Sequence, residues 1–377
     1  MIYILYSDDY EVFLGGNHLP EKEVLIRSTE NVLSACEDIG VPMTLFCDMA
    51  CLWRYRELGY PDFPEQVEQQ LKDAIGRGHD VQTHIHPHWL DTQITFGEKG
   101  ETSYNFDLTK FLLGNWKQED GSSFQEFCAD IFKRAKVHLE DLLRSIDPSY
   151  ECIAYRAGGY GIQPNTKQIF GGLLDAGYLI DSSIVPGMIV DSNVNHIDFR
   201  QVPKAGNYFV SAEQGIQSIA DDGVFEIPVL ALREATARWV LAKNFIRKVT
   251  RYFVKPKKPK PLGYAIQVSD TKGEKKSALR EIFDELKKVR RGWMMLELGD
   301  DASLMVDATR KYISQNKNSE IDLFVSVSCH SKSTHPAILD AFKKYHNRLK
   351  SIYGDELKAI TFQEAAHLIN ATVNSAK

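Results

Sequence analysis

Four of the eleven histidines fall in one short run, His79, His84, His86 and His88, and three acids, Asp8, Asp9 and Glu11, crowd into four residues near the amino terminus. Imidazole nitrogens and a carboxylate are the usual ligands of a hydrolytic metal, with an open position left for water. His84 and His88 reach one ion if the chain turns helical after a strand; His84 and His86 reach it if the chain stays extended. His84 serves in both cases, whereas His79, which precedes the strand, reads as a satisfied core histidine. Asp9 and Glu11 are two residues apart, so both can point to one side of a strand end. One could then bind the metal while the other acts as general base, with Asp8 as the adjacent competitor. A turn or N-cap is the ordinary role for such acids, but three within four residues are too many for all to serve it.

Three further groups extend this chemistry. The run Arg156-Ala157-Gly158-Gly159-Tyr160-Gly161 is rich in glycine, which lets backbone turn sharply and approach a ligand. A backbone N–H there could stabilise an oxyanion, and Arg156 could orient a carboxylate base through a bidentate pair. The plainer reading is a tight strand–helix turn. His330 follows an apolar run and could be a general acid, with Asp181 holding its other ring nitrogen.

Positioning these residues requires a series of strand ends. Short apolar runs suit strands buried on both faces: Ile2–Ser7, Pro42–Cys47, Asp80–His84, Cys152–Tyr155, Tyr178–Asp181, Val224–Val229, Trp293–Leu298 and Leu323–Ser328. Helical patterns lie between them, over Ser28–Asp38, Phe63–Gly76, Gln125–Ile146, Asn165–Ala176, Pro336–Ile352 and Gln363–Val373. This alternation predicts an α/β fold with a parallel sheet, either closed as a barrel or open and doubly wound. No G-x-G-x-x-G follows the first strand and no P-loop signature occurs, which weakens the nucleotide-binding open sheets. Ionisable residues at the carboxyl ends of several strands match a site at the top of a barrel.

The composition is that of an ordinary globular chain: 377 residues, 43% hydrophobic and 25% charged. A net charge of −6 argues against a general nucleic-acid binder. The six cysteines have no C-x2-C spacing and are expected to be reduced and buried. No signal peptide and no apolar run of membrane-spanning length are read, so the expected compartment is the cytoplasm.

With these motifs assembled, the chain resembles the polysaccharide deacetylase family (the NodB-homology, or carbohydrate esterase family 4, group). The resemblance is to the branch whose first motif reads T-F-D-Y-E-L-F-x-G. Here that stretch is Ser7-Asp8-Asp9-Tyr10-Glu11-Val12-Phe13-Leu14-Gly15. The second motif falls on His84 and His88, the third on Arg156 to Tyr160, the fourth on Asp181-Ser182-Ser183 with Pro186-Gly187, and the fifth on His330. The motifs keep family order over residues 7–335. The resemblance implies a distorted (β/α)7 barrel as one catalytic domain, and metal-dependent removal of acetyl groups from sugars. It implies Asp9 as base, His84 and His88 with a carboxylate as ligands of a divalent metal, expected to be Zn²⁺, and Arg156 as partner of the base. It further implies a Tyr160 backbone N–H at the oxyanion, and His330, tuned by Asp181, as acid.

Two departures stand out. The usual motif has two adjacent Asp, base then ligand; aligning Asp9 with the first puts Tyr10 at the ligand position, so Glu11 is assigned that role. The competing register makes Asp8 the base and Asp9 the ligand. Pro87 precedes His88 instead of following it, which leaves His86 as an alternative ligand.

The expected activity is deacetylation of an N-acetylated sugar (nucleotide-activated, lipid-linked or in an oligosaccharide) as a surface-glycan precursor. The alternatives are a non-catalytic sugar-binding barrel and a hydrolase of another amide or ester. Residues 233–300 interrupt the strand–helix rhythm and read as an insertion. Within them, residues 233–260 hold ten Lys/Arg against one acid, Glu234. That segment is either a solvated helix packed on the barrel or a contact with an anionic membrane at its inner face.

Overall fold

The computed structural model describes residues 1–117, 123–192, 195–254, 286–318 and 321–375. The run Lys255–Pro261, part of the expected insertion, lies outside the described residues. Among the described residues the main sheet has nine strands: β1 Ile2–Tyr10, β2 Thr44–Asp48, β3 Asp80–Ile85, β4 Ala154–Ala157, β5 Ile180–Asp181, β6 Tyr208–Val210, β7 Val224–Glu226, β8 Leu323–Cys329 and β9 Leu357–Ala359. Their order is β6-β7-β5-β4-β3-β2-β1-β8, with β9 also beside β1. All pairs are parallel except β6 with β7.

The sheet curls into a half-barrel. Beside β8, Val229 forms a parallel bridge to Ser326 and Glu297 one to Ser328. These two bridges lie two residues apart on β8 and run in the same direction. Residues 229–230 and 297–298 therefore fill one strand position; the chain leaves the barrel after 230 and rejoins it at 297, an excursion in the middle of that strand position. A hairpin of Ala231–Arg233 against Trp293–Met295 forms its neck. The strand expected over Trp293–Leu298 is thus two pieces, and its last residues belong to the barrel.

The pleat of β1 sorts its side chains by face. Tyr3 and Leu5 join Phe46, Ile180, Ile227 and Phe324 inside the curl, where Phe362 and Ile369 plug the amino end. Ile4, Tyr6 and Tyr10 join the larger core beneath the helices. Further along the inner face stand Ser7 and Asp9, so the interior is apolar at one end and polar at the other. β1 also runs to Tyr10, beyond the expected Ser7, because β8 and β2 hydrogen-bond its backbone as far as Asp8 and Tyr10.

The helices are α1 Arg27–Glu37, α2 Met49–Glu57, α3 Asp62–Gly76, α4 Phe124–Leu143, α5 Thr166–Asp175, α6 Glu234–Val254, α7 Ala302–Asn316, α8 Pro336–Tyr353 and α9 Phe362–Ser375, with a further helical stretch at 286–291. The six cysteines are free and buried. Among the described residues no helix is long and apolar enough to cross a membrane.

Candidate active site

The carboxyl ends of β1, β3, β4 and β8 converge at the polar end of the interior. Asp9, the inward residue near the end of β1, is 3% exposed and accepts a hydrogen bond from Arg156 Nη1 at 2.7 Å. Arg156, at the end of β4, is fully buried, with its guanidinium 4.2 Å over the Phe46 ring. Its five N–H donors are all engaged: Nε with Ser182 O, Nη1 with Ser7 Oγ and Asp9 Oδ1, and Nη2 with Ser182 Oγ and Ser326 Oγ. The expected bidentate pair is therefore a single bond, because the second guanidinium nitrogen serves two serines. Asp9 Oδ2 remains directed at the site, 3.6 Å from His330 Nε2. Burial pushes the Asp9 carboxyl up, but the charges of Arg156, His330 and His84 and the Arg156 hydrogen bond together outweigh it and leave Asp9 below the usual carboxylate range.

Glu11 lies two residues on, on the same side. Its Oε2 is 2.7 Å from His86 Nε2 and 3.5 Å from His84 Nε2; its Oε1 accepts from Lys332 Nζ at 2.8 Å. Burial opposes ionisation here too, yet the charges of Lys332 and His86 hold Glu11 well below its ordinary value. One ligand atom each from Glu11, His84 and His86 lie within 4.8 Å of one another, a grouping able to hold a metal ion.

The fit of a cation can be tested on His84. Its Nδ1 is 2.9 Å from the Arg156 carbonyl oxygen, which can only accept, so Nδ1 carries the proton. In the neutral imidazole Nε2 is then a lone pair; it is buried, has no hydrogen-bond partner among the described residues and faces a carboxylate oxygen. Two lone pairs opposed in this way suit a cation between them, as a metal ion would be. His86 lies against backbone at Gly158, where an added Cβ would stand 2.5 Å from two of its ring atoms. That contact is a packing reason for glycine in the Arg156–Gly161 turn.

The chain stays extended through His86 and turns at Pro87, so the i, i+2 pair His84 and His86 is the one brought together. His88 falls outside the ligand grouping. Its ring packs on Phe106 with centroids 4.4 Å apart, and burial drives its pKa down to about 2. Asp8 is on the opposite face of β1, where Oδ1 accepts from Ser331 N at 2.6 Å; burial raises it to about 6. It therefore cannot share a ligand set with the inward residues.

His330 follows β8 with its Nε2 also 3.5 Å from Glu11 Oε1. Its Nδ1 is held at 2.6 Å by Glu297, not by the expected Asp181. Burial alone would lower His330, but the Glu297 hydrogen bond and the charge of Asp9 raise it to about 9. Asp181 instead accepts from Ser183 N and Ser183 Oγ and stands beside Glu226 on β7. Burial, reinforced by Asp181, pushes Glu226 well up. Tyr160 ends the glycine turn in left-handed backbone, φ 60°, with its side chain buried.

Sequence reasoning missed Glu297, Lys332 and Asp48. Asp48, at the end of β2, accepts from His86 N at 3.2 Å and so fixes the backbone that carries this ligand candidate. Its position, directly after the apolar run Pro42–Cys47, was the available signal. Lys332 lies two residues after His330, in the stretch Ser328-Cys329-His330-Ser331-Lys332-Ser333.

No family model and no curated protein matches the chain. Solved structures similar to it include a putative polysaccharide deacetylase from Mycobacterium smegmatis, at 11% identity and TM-score 0.42, covering 98% of this chain and 91% of that one. Puue allantoinase is similar at 10% identity and TM-score 0.40, over 98% and 90% of the two chains. The GH57 branching enzyme TK1436 from Thermococcus kodakaraensis is similar at 10% identity and TM-score 0.41, over 96% and 70%. At this level of likeness none of the three carries an argument about this chain's activity, which rests on the residues of the site.

Proposed function

We propose that the chain is a metal-dependent hydrolase that removes the acetyl group of an N-acetylated sugar, on a barrel of the (β/α)7 NodB type. The observation that carries the reading is the convergence of Glu11, His84 and His86 beside the free oxygen of Asp9 and the Nε2 of His330. A divalent ion held by Glu11, His84 and His86, for which we propose zinc, would supply a water acidic near neutral pH and polarise the amide carbonyl. Asp9 Oδ2 receives the proton of the attacking water, while Arg156 keeps that carboxylate anionic and aimed. His330 Nε2 gives a proton to the departing nitrogen, and Glu297 holds the imidazole in place through Nδ1. The Tyr160 backbone N–H is proposed for the oxyanion on the strength of the family resemblance.

The substrate we propose is a surface-glycan precursor, nucleotide-activated, lipid-linked or in an oligosaccharide. The test is acetate release from these three forms of N-acetyl sugar by metal-loaded protein. If wild type releases none and His84→Ala behaves identically, the hydrolase reading fails. One observation favours a second reading, a barrel that binds sugar without turnover: the Lys332 ammonium already sits on Glu11 and adds positive charge at the ligand grouping. Protein that neither carries nor acquires a divalent metal, yet binds the sugar, would select it.

A further inference from the structure

The excursion carries a helix with an unusual outward face. After Glu234, α6 contains no acid through Val254. Ala237, Val240, Leu241 and Asn244 are buried and define its inner side. The outer side exposes Arg238, Trp239, Lys243 and Ile246, with Trp239 49% and Ile246 64% exposed. A helix face turned to water ordinarily carries mixed polar residues. This one interleaves cations with a large aromatic and a large aliphatic side chain, the pattern of a helix lying in a lipid interface.

Neighbouring contacts fix its orientation. Gln315 donates to Thr236 Oγ1 at 2.8 Å, Lys311 lies 4.7 Å over the Trp239 ring, and Asp307 pairs with Lys243 and Arg247 at 3.0 and 2.9 Å. The two helices thus run antiparallel, and α6 climbs toward the start of α7, just past Glu297. Its carboxyl end therefore rises at the end of the sheet that holds the candidate site. Lys243 also lies 5.2 Å over Trp239. Asp307 offsets one of the two cations it pairs with, so the face keeps a positive excess. The chain continues as Lys-Pro-Lys-Lys-Pro-Lys over 255–260.

We infer that α6 is a docking helix for an anionic phospholipid surface, with Trp239 and Ile246 entering the acyl boundary and Arg238 and Lys243 meeting headgroup phosphates. Charge complementarity selects an anionic surface, and the apolar pair between the cations selects a lipid over a soluble phosphate. The inference is independent of the hydrolase reading. Where both hold, a lipid-linked sugar is delivered at the rim of the site.

The test is co-sedimentation of the full chain with vesicles of phosphatidylcholine alone and of phosphatidylcholine mixed with phosphatidylglycerol. Binding to the mixed vesicles only, weakened by salt, is expected. Arg238→Gln with Lys243→Gln should weaken it about fivefold per cation removed. Trp239→Ser with Ile246→Ser should also weaken it, without change in circular dichroism, because both residues are exposed. Wild-type binding by the Ser double variant, or no binding to anionic vesicles, overturns the inference. So does displacement by inorganic phosphate at constant ionic strength, which assigns the cations to a phosphate site. A dimer that dissociates in the Ser double variant overturns it in favour of a second copy of the chain.

Discussion

Replacing Arg156 with methionine isolates the ion pair at the centre of the site. The methionine keeps the volume of the aliphatic stem, while the guanidinium over Phe46 and its five hydrogen-bond donors disappear. The serine partners lose little: Ser182 Oγ also donates to Ile227 O at 2.8 Å, and Ser7 Oγ to Val327 O at 3.4 Å. The cost therefore falls on Asp9, a carboxylate left buried without its cation. Breaking a buried pair in this way costs about 3–5 kcal/mol. Urea unfolding at neutral pH should show that loss at an unchanged m-value. In an Asp9→Asn background, Arg156→Met should cost less, giving a coupling of about 2–3 kcal/mol. The pH dependence has a definite sign. Asp9 is lowered in the folded wild type, so its contribution is present above the unfolded carboxylate value near about 3.9 and is lost as pH falls through the folded one. In Arg156→Met the unpaired, buried Asp9 is raised and its penalty disappears on protonation. The stability gap between the two proteins must then narrow toward pH about 4. A coupling under about 0.5 kcal/mol, or a gap constant with pH, would refute the assignment of Arg156 as the counter-ion that keeps Asp9 ionised.

Glu297→Gln removes the charge that supports His330, so its pKa by NMR titration should fall by about 1–3 pH units. His330 is raised in the folded state, so its contribution is present below about pH 6.5 and lost as pH rises through about 9; the variant should be less stable only on the acidic side of that window. His84→Ala and His86→Ala should each reduce divalent-metal affinity by more than the about 10–100-fold typical of losing an outer-shell partner, while His88→Ala keeps it, as read by competition with a chromophoric chelator. Gly158→Ala should push the His86 ring from its seat, costing about 1–3 kcal/mol in denaturant unfolding and lowering metal affinity in the same chelator assay.

The parts of the site that could be read from sequence are those whose chemistry is local. Asp9 and Glu11 announce their shared face by spacing alone, and His84 by standing at the end of an apolar run. The histidine partner was ambiguous because extended and helical continuations satisfy different pairs. Pro87 resolves it by starting a turn one residue after His86. Asp8 could not be set aside until the pleat of β1 was known, because Asp8 and Asp9 lie inside the strand and not after it. Glu297 was hidden for a different reason. The strand position that carries it is interrupted by residues 231–296, so its neighbours in space, Ser328 and His330, follow a part of the chain that looked like insertion. α2 and α7 were not read as helices. α2 is buried almost all round and lacks a polar stripe, and the apolar residues of α7 are sparse.

That interrupted strand also bears on the order in which the molecule can assemble. Its first half must find β8 across a long stretch of chain, whereas its second half reaches the same neighbour from nearby. Distant pairings pay more loop-closure entropy before any contact rewards them and so form late. The second half can therefore pair before the excursion has folded back. His330 acquires Glu297 at that step, while Asp9 acquires Arg156 only when β1 to β4 have lined up. By this reasoning the two pairs of the proposed proton-transfer apparatus close loops of different length, and a chain arrested between them would carry a histidine with its partner and a buried acid without one.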